Sequence, residues 1–304
     1  MVISCLFLFR HLIKREKIEL CKVNNRIIYS DEIGNEIRFS SVRTWNGPAK
    51  FAGMSSKFVL QGTEVYQTSE KKYAVTEGEY LLGNQKTESL VSVHSNTEVL
   101  GLCIDISENL VKTICQKWEL TEDFFDYLFN QQLLVNKYNK CNSLLGKELE
   151  TIANSIHQRK AIFIDKSLFY TLATALVEDQ IKIYQNYGRL NFKKQYTKKE
   201  VFSQLMHGKD FMERNWNKIL DLETISKEAG MSKYHFARLF RDVFGLSPYQ
   251  FFIALKMKNA LSILSEGKTI QSTSELLGYP DVSSFSKAFS KFYGLPPSLH
   301  QKIA

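Results

Sequence analysis

Cysteine is scarce in this 304-residue sequence, and the few cysteines are never closely paired. There are 5 of them, and no two stand in a Cys-x-x-Cys arrangement. Structural zinc sites use such pairs, and small disulfide-stabilised domains use many cysteines. The sequence therefore argues against a metal site or a disulfide framework, and we expect a cytoplasmic protein without a cofactor.

Long hydrophobic runs are also lacking. The apolar stretch at residues 1–9 is too short to cross a bilayer, and Arg10 and His11 follow it rather than a cleavage site with small residues. We therefore expect no membrane association. The stretch is interpreted as a buried strand or a frayed terminus, with a misassigned start codon as the alternative.

Catalytic motifs are a third absence. The sequence has no G-x-S-x-G, Walker or G-x-G-x-x-G pattern. A metalloenzyme would need several ligands that converge from adjacent strands, but His-x-His does not occur, and only His94 of the 6 histidines lies in a predicted strand. We predict that the protein is not an enzyme.

Charge is present but unevenly distributed. The formal net charge is +8. Residues 1–188 contain 22 Lys and Arg against 22 Asp and Glu, so residues 189–304, with 18 against 10, account for the whole excess. A neutral first part and a basic last part are typical of a protein with a nucleic-acid-binding domain at one end.

The hydrophobic pattern of residues 20–106 predicts an antiparallel β-sandwich or β-barrel. Short runs rich in Val, Ile, Leu and Tyr are separated by glycine and asparagine at fairly even spacing. These runs cover residues 37–45, 57–66, 78–84, 89–95 and 99–107.

From Ser107 onward the hydrophobic period becomes helical, and Ser107 itself is a typical helix N-cap. The last segment, 165–187, has an apolar stripe that is wider than one core face needs. We therefore predict that residues 107–187 are helical and form a homodimer interface. Packing of the stripe on the chain's own barrel is the alternative.

A polar and basic stretch, residues 188–199, is predicted to be a linker. It would join a first domain over residues 1–187, which is β-rich over 20–106, to a C-terminal all-α domain over 200–304.

Residues 225–248 and 273–297 repeat one pattern. In each copy a short helix precedes a glycine, Gly230 or Gly278, and a second helix follows with aromatic residues at every fourth position. The aromatic residues, matched at an offset of 49, are Phe236, Phe240 and Phe244 in the first copy and Phe285, Phe289 and Tyr293 in the second. Glycine permits the left-handed turn, and the aromatic residues form a buried face opposite basic ones. This arrangement predicts two helix-turn-helix units.

One helix, at about residues 248–265, links the two units. Its length of roughly 27 Å is of the order of the about 34 Å that one turn of B-DNA spans. Two recognition helices of a single chain could therefore enter successive major-groove segments on one face of the DNA.

Residues from about 206 to 302 resemble the DNA-binding domain of the AraC/XylS family of transcription regulators. The closing stretch Gly278–Pro297, GYPDVSSFSKAFSKFYGLPP, is similar to the family pattern G-[FY]-x-D-x-S-x-F-S-[RK]-x-F-x-x-x-x-G-x-x-P. The sequence departs from the family at Lys256, where an arginine is common, at Pro280, and at His300-Gln301.

The resemblance implies binding to double-stranded promoter DNA and contact with RNA polymerase. It also implies an N-terminal sensing and dimerisation domain, often a cupin-like β-barrel followed by helices. The expected fold class is therefore α+β, with an antiparallel cupin-like β-barrel plus helices first and an all-α domain with two helix-turn-helix units after it.

The resemblance also places base-facing positions on both units. They fall on Lys233, Tyr234, Ala237, Arg238 and Arg241 in the first unit and on Val282, Ser283, Ser286 and Lys287, with Lys291 further along, in the second. Arg238 is the predicted direct base contact, because a guanidinium matches O6 and N7 of guanine. An ion pair between Arg238 and Asp242 is the alternative. The second unit has smaller donors, so we expect it to discriminate less between sequences.

These features predict a sequence-specific transcription regulator, an activator that responds to a small-molecule effector. Two alternatives stay open: an N-terminal domain that serves only oligomerisation, and a cupin-type enzyme. A roomy cavity with polar groups in the β domain would favour sensing, and a fully packed interior would favour a scaffold.

Overall fold

The computed structural model describes residues 26–68 and 71–303. The chain folds into two compact units, one that ends at Tyr184 and one that begins at Gln185. The apolar stretch 1–9 lies outside the described residues. Within the part of the chain that is described, no helix is both long and apolar enough to cross a membrane.

The N-terminal unit contains one antiparallel sheet, with eight strands among the described residues. The strands are β1 (Arg26–Ser30), β2 (Glu36–Ala49), β3 (Met54–Gln61), β4 (Thr63–Thr68), β5 (Lys72–Thr76), β6 (Glu79–Asn84), β7 (Ser89–Ile106) and β8 (Lys137–Asn139). The helices are α1 (Glu108–Lys117), α2 (Glu122–Phe129), α3 (Leu144–His157) and α4 (Lys166–Gly188). The strand order is β1-β2-β7-β3-β6-β8, and β4 pairs with β5 and β7.

Strand β7 organises the sheet because it is long enough to pair with three neighbours, β2, β3 and β4. The predicted break between 89–95 and 99–107 is wrong, since β7 continues through residues 95–98, where its pairing with β2 shifts register. The predicted strand 57–66 is instead two strands. Gly62 separates them with a φ of 88°, and a Cβ there would lie 2.8 Å from a methyl carbon of Val99.

The two faces of the sheet have different surroundings, because successive side chains of a strand point to opposite faces. Phe39, Leu102 and Phe58 form one cross-strand row that is buried in the same core as the helices. Their strand neighbours Arg38 and Lys57 lie on the other face, where a cavity is found. The sheet therefore has one face that packs on the helices and a second face that carries both a smaller apolar cluster and the charged wall of the cavity.

Helix α4 belongs to the core of its own unit. Phe169, Leu172 and Leu176 of its apolar stripe are fully buried there. The alternative interpretation of the stripe thus accounts for these side chains, and the homodimer stays a prediction without support from them. The predicted N-cap is confirmed, since Ser107 Oγ accepts a hydrogen bond from the backbone N–H of Leu110.

The C-terminal unit is all-α. Its helices are α5 (Gln195–Arg214), α6 (Leu222–Glu228), α7 (Lys233–Phe244), α8 (Pro248–Ser265), α9 (Ile270–Leu276), α10 (Val282–Tyr293) and α11 (Pro297–Ile303). The predicted α+β class, with antiparallel strands and helices before an all-α region with two helix-turn-helix units, is confirmed.

The stretch 188–199, which the sequence predicted to be a linker, has regular structure and tertiary contacts. Its second part is helical, because α5 begins at Gln195. Its first part is anchored within the C-terminal unit: Leu190 is buried, and the guanidinium of Arg189 donates a hydrogen bond to the carbonyl oxygen of Val243 at 2.7 Å. Charge alone did not predict this packing, which depends on one buried apolar side chain and on the hydrogen-bond partner of one guanidinium.

Candidate nucleic-acid interface

The first helix-turn-helix unit consists of α6, a tight turn and α7. Gly230 follows α6 with a φ of 67°, and the backbone N–H of Met231 donates to the carbonyl oxygen of Ser226 at 2.9 Å. Ser226 is buried, and its small side chain lets the two helices approach closely. The predicted glycine turn is present as expected.

The second unit, formed by α9 and α10, has a longer turn. Gly278 has a φ of 71°, and the backbone N–H of Tyr279 donates to the carbonyl oxygen of Ser274 at 3.1 Å. Asp281 caps α10, accepting a hydrogen bond from the backbone N–H of Ser284 at 2.7 Å. This bond lowers the pKa of the Asp281 carboxyl below its ordinary value.

Aromatic side chains hold the second helix of each unit in place. Phe236 of α7 and Phe285 of α10 are fully buried, as are the residues one turn further on in both helices. Helix α5 packs against α7 so closely that a Cβ on Gly208 would lie 2.6 Å from a ring carbon of Phe236. Helix α8 supplies Met257 to the core of the second unit. Each unit is therefore a three-helix arrangement, and the faces of α7 and α10 opposite the aromatic residues are exposed.

The predicted base-facing residues of the first unit share the exposed face of α7. They are Lys233, Tyr234, Ala237, Arg238 and Arg241, at positions i, i+1, i+4, i+5 and i+8. Tyr234 is 89% exposed, so nothing in the unit holds its ring. Lys233 pairs with Glu223 of α6, with 2.7 Å between Nζ and the carboxylate. The remaining polar groups of this face are directed to solvent.

The two arginines of this face make no ion pair within the described part of the chain. Among the described residues, no carboxylate lies within 4.0 Å of the guanidinium of Arg238 or Arg241. The alternative interpretation, a pair between Arg238 and Asp242, is therefore not formed. Both guanidinium groups keep their hydrogen-bond donors available for a ligand.

The predicted positions of the second unit share one side of α10. They are Val282, Ser283, Ser286, Lys287 and Lys291. Val282 and Ser286 are half-buried, and the other three are exposed. This face therefore offers two ammonium groups and small hydroxyls, but no guanidinium.

A cavity of about 160 Å³ lies on the face of the N-terminal sheet that carries Arg38 and Lys57. Arg38, Cys103 and Lys57 form a cross-strand row on its wall. The Lys57 amine lies 2.6 Å from the sulfur of Cys103 and 3.6 Å from a carboxylate oxygen of Asp105. No group of three or more His, Cys, Asp or Glu among the described residues could hold a metal ion. The wall is thus polar and charged.

Glu64 is a buried carboxylate on the wall of the same cavity. One of its oxygens accepts a hydrogen bond from the Tyr66 hydroxyl at 2.5 Å, and the other accepts none from any residue that the structure describes. Burial raises the pKa of Glu64 despite this hydrogen bond, and burial also raises the pKa of the Cys103 thiol. The sequence did not predict these residues, because only strand pairing brings them together; the one signal was a lysine, Lys57, inside a predicted strand.

The fold and the exposed faces of α7 and α10 define a protein with a double helix-turn-helix domain. The family model described as a helix-turn-helix domain matches residues 225–302. The MmsAB operon regulatory protein of Pseudomonas aeruginosa is 31% identical over 93 residues, which are 30% of this chain and 30% of that protein. The lactose operon transcription activator of Staphylococcus xylosus is 29% identical over 99 residues, 32% of this chain and 36% of that protein.

A solved AraC-type transcriptional regulator from Chromobacterium violaceum is also similar, at 22% identity and a TM-score of 0.31 over 33% of this chain and 89% of that chain. The predicted resemblance to the AraC/XylS family is confirmed for the helix-turn-helix domain. The matched part spans about a third of the length of the two curated relatives. These similarities therefore concern the DNA-binding domain and not the role of the whole chain.

Proposed function

We propose that the protein is a sequence-specific transcription regulator that binds double-stranded promoter DNA through both helix-turn-helix units. The observation that carries the proposal is the pair of exposed polar faces on α7 and α10, with Arg238 and Arg241 making no ion pair to any residue that the structure describes. Arginine donors are suited to guanine edges and phosphates. Of the two relatives named above, one is an operon regulatory protein and the other a transcription activator, and the second supports a role in activation. Contact with RNA polymerase is what the family resemblance implies.

Binding of the full-length chain to duplexes selected from a random pool tests this proposal. Phosphate contacts release counterions, so affinity should fall steeply as salt rises. Lys291→Ala should reduce the slope of log K against log salt by about one, because a lysine near the helix end is suited to a phosphate. Lys72→Ala removes the same charge from β5 and should leave the slope unchanged. Affinity without salt dependence, or a pool without any enriched sequence, would contradict the proposal.

We propose further that the N-terminal unit senses a small effector in the cavity beside β4. Glu64 supports this, because an oxygen of a buried carboxylate that accepts no hydrogen bond from the described residues can accept one from a ligand. A metabolite screen should find a compound that raises the melting temperature of the wild type but not of Glu64→Gln. The same compound should change the affinity for the selected duplex. If no compound does both, the alternative of an oligomerisation module is favoured.

We also propose a homodimer, which the family resemblance supports. The apolar stripe of α4 does not support it, because its largest side chains are buried in their own unit. Sedimentation analysis at micromolar concentrations tests it directly. A monomeric mass throughout would exclude a stable dimer.

A further inference from the structure

Lys256 lies in the middle of the linking helix α8 and is 6% exposed. Lysine is almost never buried to this degree without a partner, because removing an ammonium from water is costly. The side chain is also enclosed by aromatic rings: its Nζ lies 5.1 Å from the ring centre of Phe252 and 5.7 Å from that of Tyr279. The burial of the Lys256 ammonium therefore requires a partner within the structure.

The Lys256 amine donates a hydrogen bond to the carbonyl oxygen of Leu277 at 2.6 Å. Leu277 is the C-cap residue of α9. The last carbonyl groups of a helix have no partner within the helix and carry its partial negative charge. A buried ammonium at this point satisfies a carbonyl and opposes that charge.

Leu277 immediately precedes the turn that leads to the second recognition helix. Lys256 thus ties the linking helix to the segment that sets the direction of α10. The same turn is confined from another side, since a Cβ on Gly278 would lie 3.3 Å from the carbonyl oxygen of Asn217, between α5 and α6. The turn is held by the linking helix on one side and by the connection between α5 and α6 on the other.

The turn of the first unit has no such contact among the described residues. There the amide nitrogen of Gln204 donates to the carbonyl oxygen of Gly230 at 3.4 Å, in an exposed position. Instead of a buried charge, close packing between Gly208 of α5 and Phe236 of α7 holds the first unit to its supporting helix. The two units are therefore held to their supporting helices in different ways.

We infer that Lys256 is a positioning residue that fixes α10 relative to the linking helix and so sets the spacing between the two recognition helices on DNA. This inference rests on the proposed DNA-binding function. Both the charge and the length of the side chain are needed, because the ammonium must contact the Leu277 carbonyl from a buried position on α8. A flexible connection would tolerate a change in the distance between the two DNA segments, whereas a fixed one would not.

The test uses the full-length chain and a duplex selected with the wild type, together with versions that carry one or two extra base pairs between the two contacted segments. For the wild type, one inserted pair should lower affinity by at least about tenfold. Lys256→Met keeps the apolar stem and removes the donor and the charge. It should bind the parent duplex about tenfold more weakly and lose much less on insertion.

Lys256→Arg restores a charged donor and should keep the wild-type insertion penalty. Lys258→Met is the matched control, because Lys258 is exposed on the same helix and should leave the penalty unchanged. If Lys256→Met does not fold, Lys256→Gln replaces it, since its shorter neutral amide should not reach the Leu277 carbonyl. Circular dichroism monitors folding of each variant.

An insertion penalty that is the same in Lys256→Met, or in Lys256→Gln, as in the wild type would overturn the inference, even if affinity falls. If Lys256 only stabilised the fold, its replacement would lower affinity for all duplexes by the same factor. If the wild type enriches no duplex at all, the proposed function fails instead, so the two failures are distinguishable.

Discussion

The two helix-turn-helix units share a sequence pattern but are stabilised by different contacts. Around the first turn a glycine of α5, Gly208, lets helices touch, and the N-cap residue Ser232 makes no side-chain cap bond. Around the second turn a buried ammonium, Lys256, meets a helix end, and the N-cap residue Asp281 holds two groups of Ser284. The comparison teaches that the repeated aromatic pattern specifies the hydrophobic core of a unit, while its polar contacts are particular to each copy.

The shared part of the comparison predicts the largest effects. Phe236→Ala and Phe285→Ala should each lower the free energy of unfolding by about 3–5 kcal/mol, because each removes a fully buried ring. Chemical denaturation of the full chain, followed by the circular dichroism of its helices, measures this. Tyr234→Ala, on the exposed face of α7, is the control and should stay within about 0.5 kcal/mol. A large effect in one unit and a small one in the other would break the claim of equivalent cores.

The glycine contact of the first unit predicts a smaller effect. Gly208→Ala should destabilise the protein by about 1–3 kcal/mol, since its new Cβ would overlap the ring of Phe236. Gly188→Ala, at the end of α4, has open space around the new Cβ and should be close to neutral. Thermal melting of both variants decides the matter. Equal melting temperatures would mean that α5 and α7 do not pack as closely as described.

The aspartate cap of α10 predicts a pH dependence that the serine cap of α7 lacks. The pKa of Asp281 is lowered chiefly by the bond from the Ser284 backbone N–H, so the carboxylate contributes stability at neutral pH. This contribution is lost as pH falls below the ordinary aspartate value of about 3.9 and through the lower folded-state value. Amide exchange at the start of α10 should then become faster relative to that at the start of α7. In Asp281→Ala the difference should vanish; its persistence would assign the pH effect to another group.

The smallest effect concerns Lys233, which the sequence predicted at the DNA and which the structure pairs with Glu223. The pair is exposed, so Glu223→Gln should leave the melting temperature almost unchanged. Removing the competing carboxylate should slightly strengthen DNA binding at low salt, measured by anisotropy. Weaker binding in this variant would mean that Glu223 orients Lys233 rather than competing for it.

Sequence pattern predicted what depends on local chemistry. The left-handed glycines, the aromatic spacing and the cap at Ser107 follow from rules that act over a few residues, and they are present. The continuity of β7 was missed, because pairing with β2 outweighs the turn propensity around Asn96. The cavity wall and the partner of Lys256 were missed as well, since they depend on which strands and helices meet. The residues assigned to the candidate DNA interface came from the family resemblance; those of each unit lie on one helix, and their contact with DNA stays a prediction.

The central claim is that the two units contribute unequally to sequence discrimination. Arg238 and Lys287 occupy matching positions, the sixth residues of α7 and α10, and both are exposed. The most direct measurement is the ratio of affinities for selected and scrambled duplexes in Arg238→Ala and Lys287→Ala. We expect Arg238→Ala to reduce this ratio by the equivalent of about 1–3 kcal/mol and Lys287→Ala to weaken both duplexes by similar factors. An unchanged ratio in Arg238→Ala, or a larger loss of discrimination in Lys287→Ala, would contradict the account.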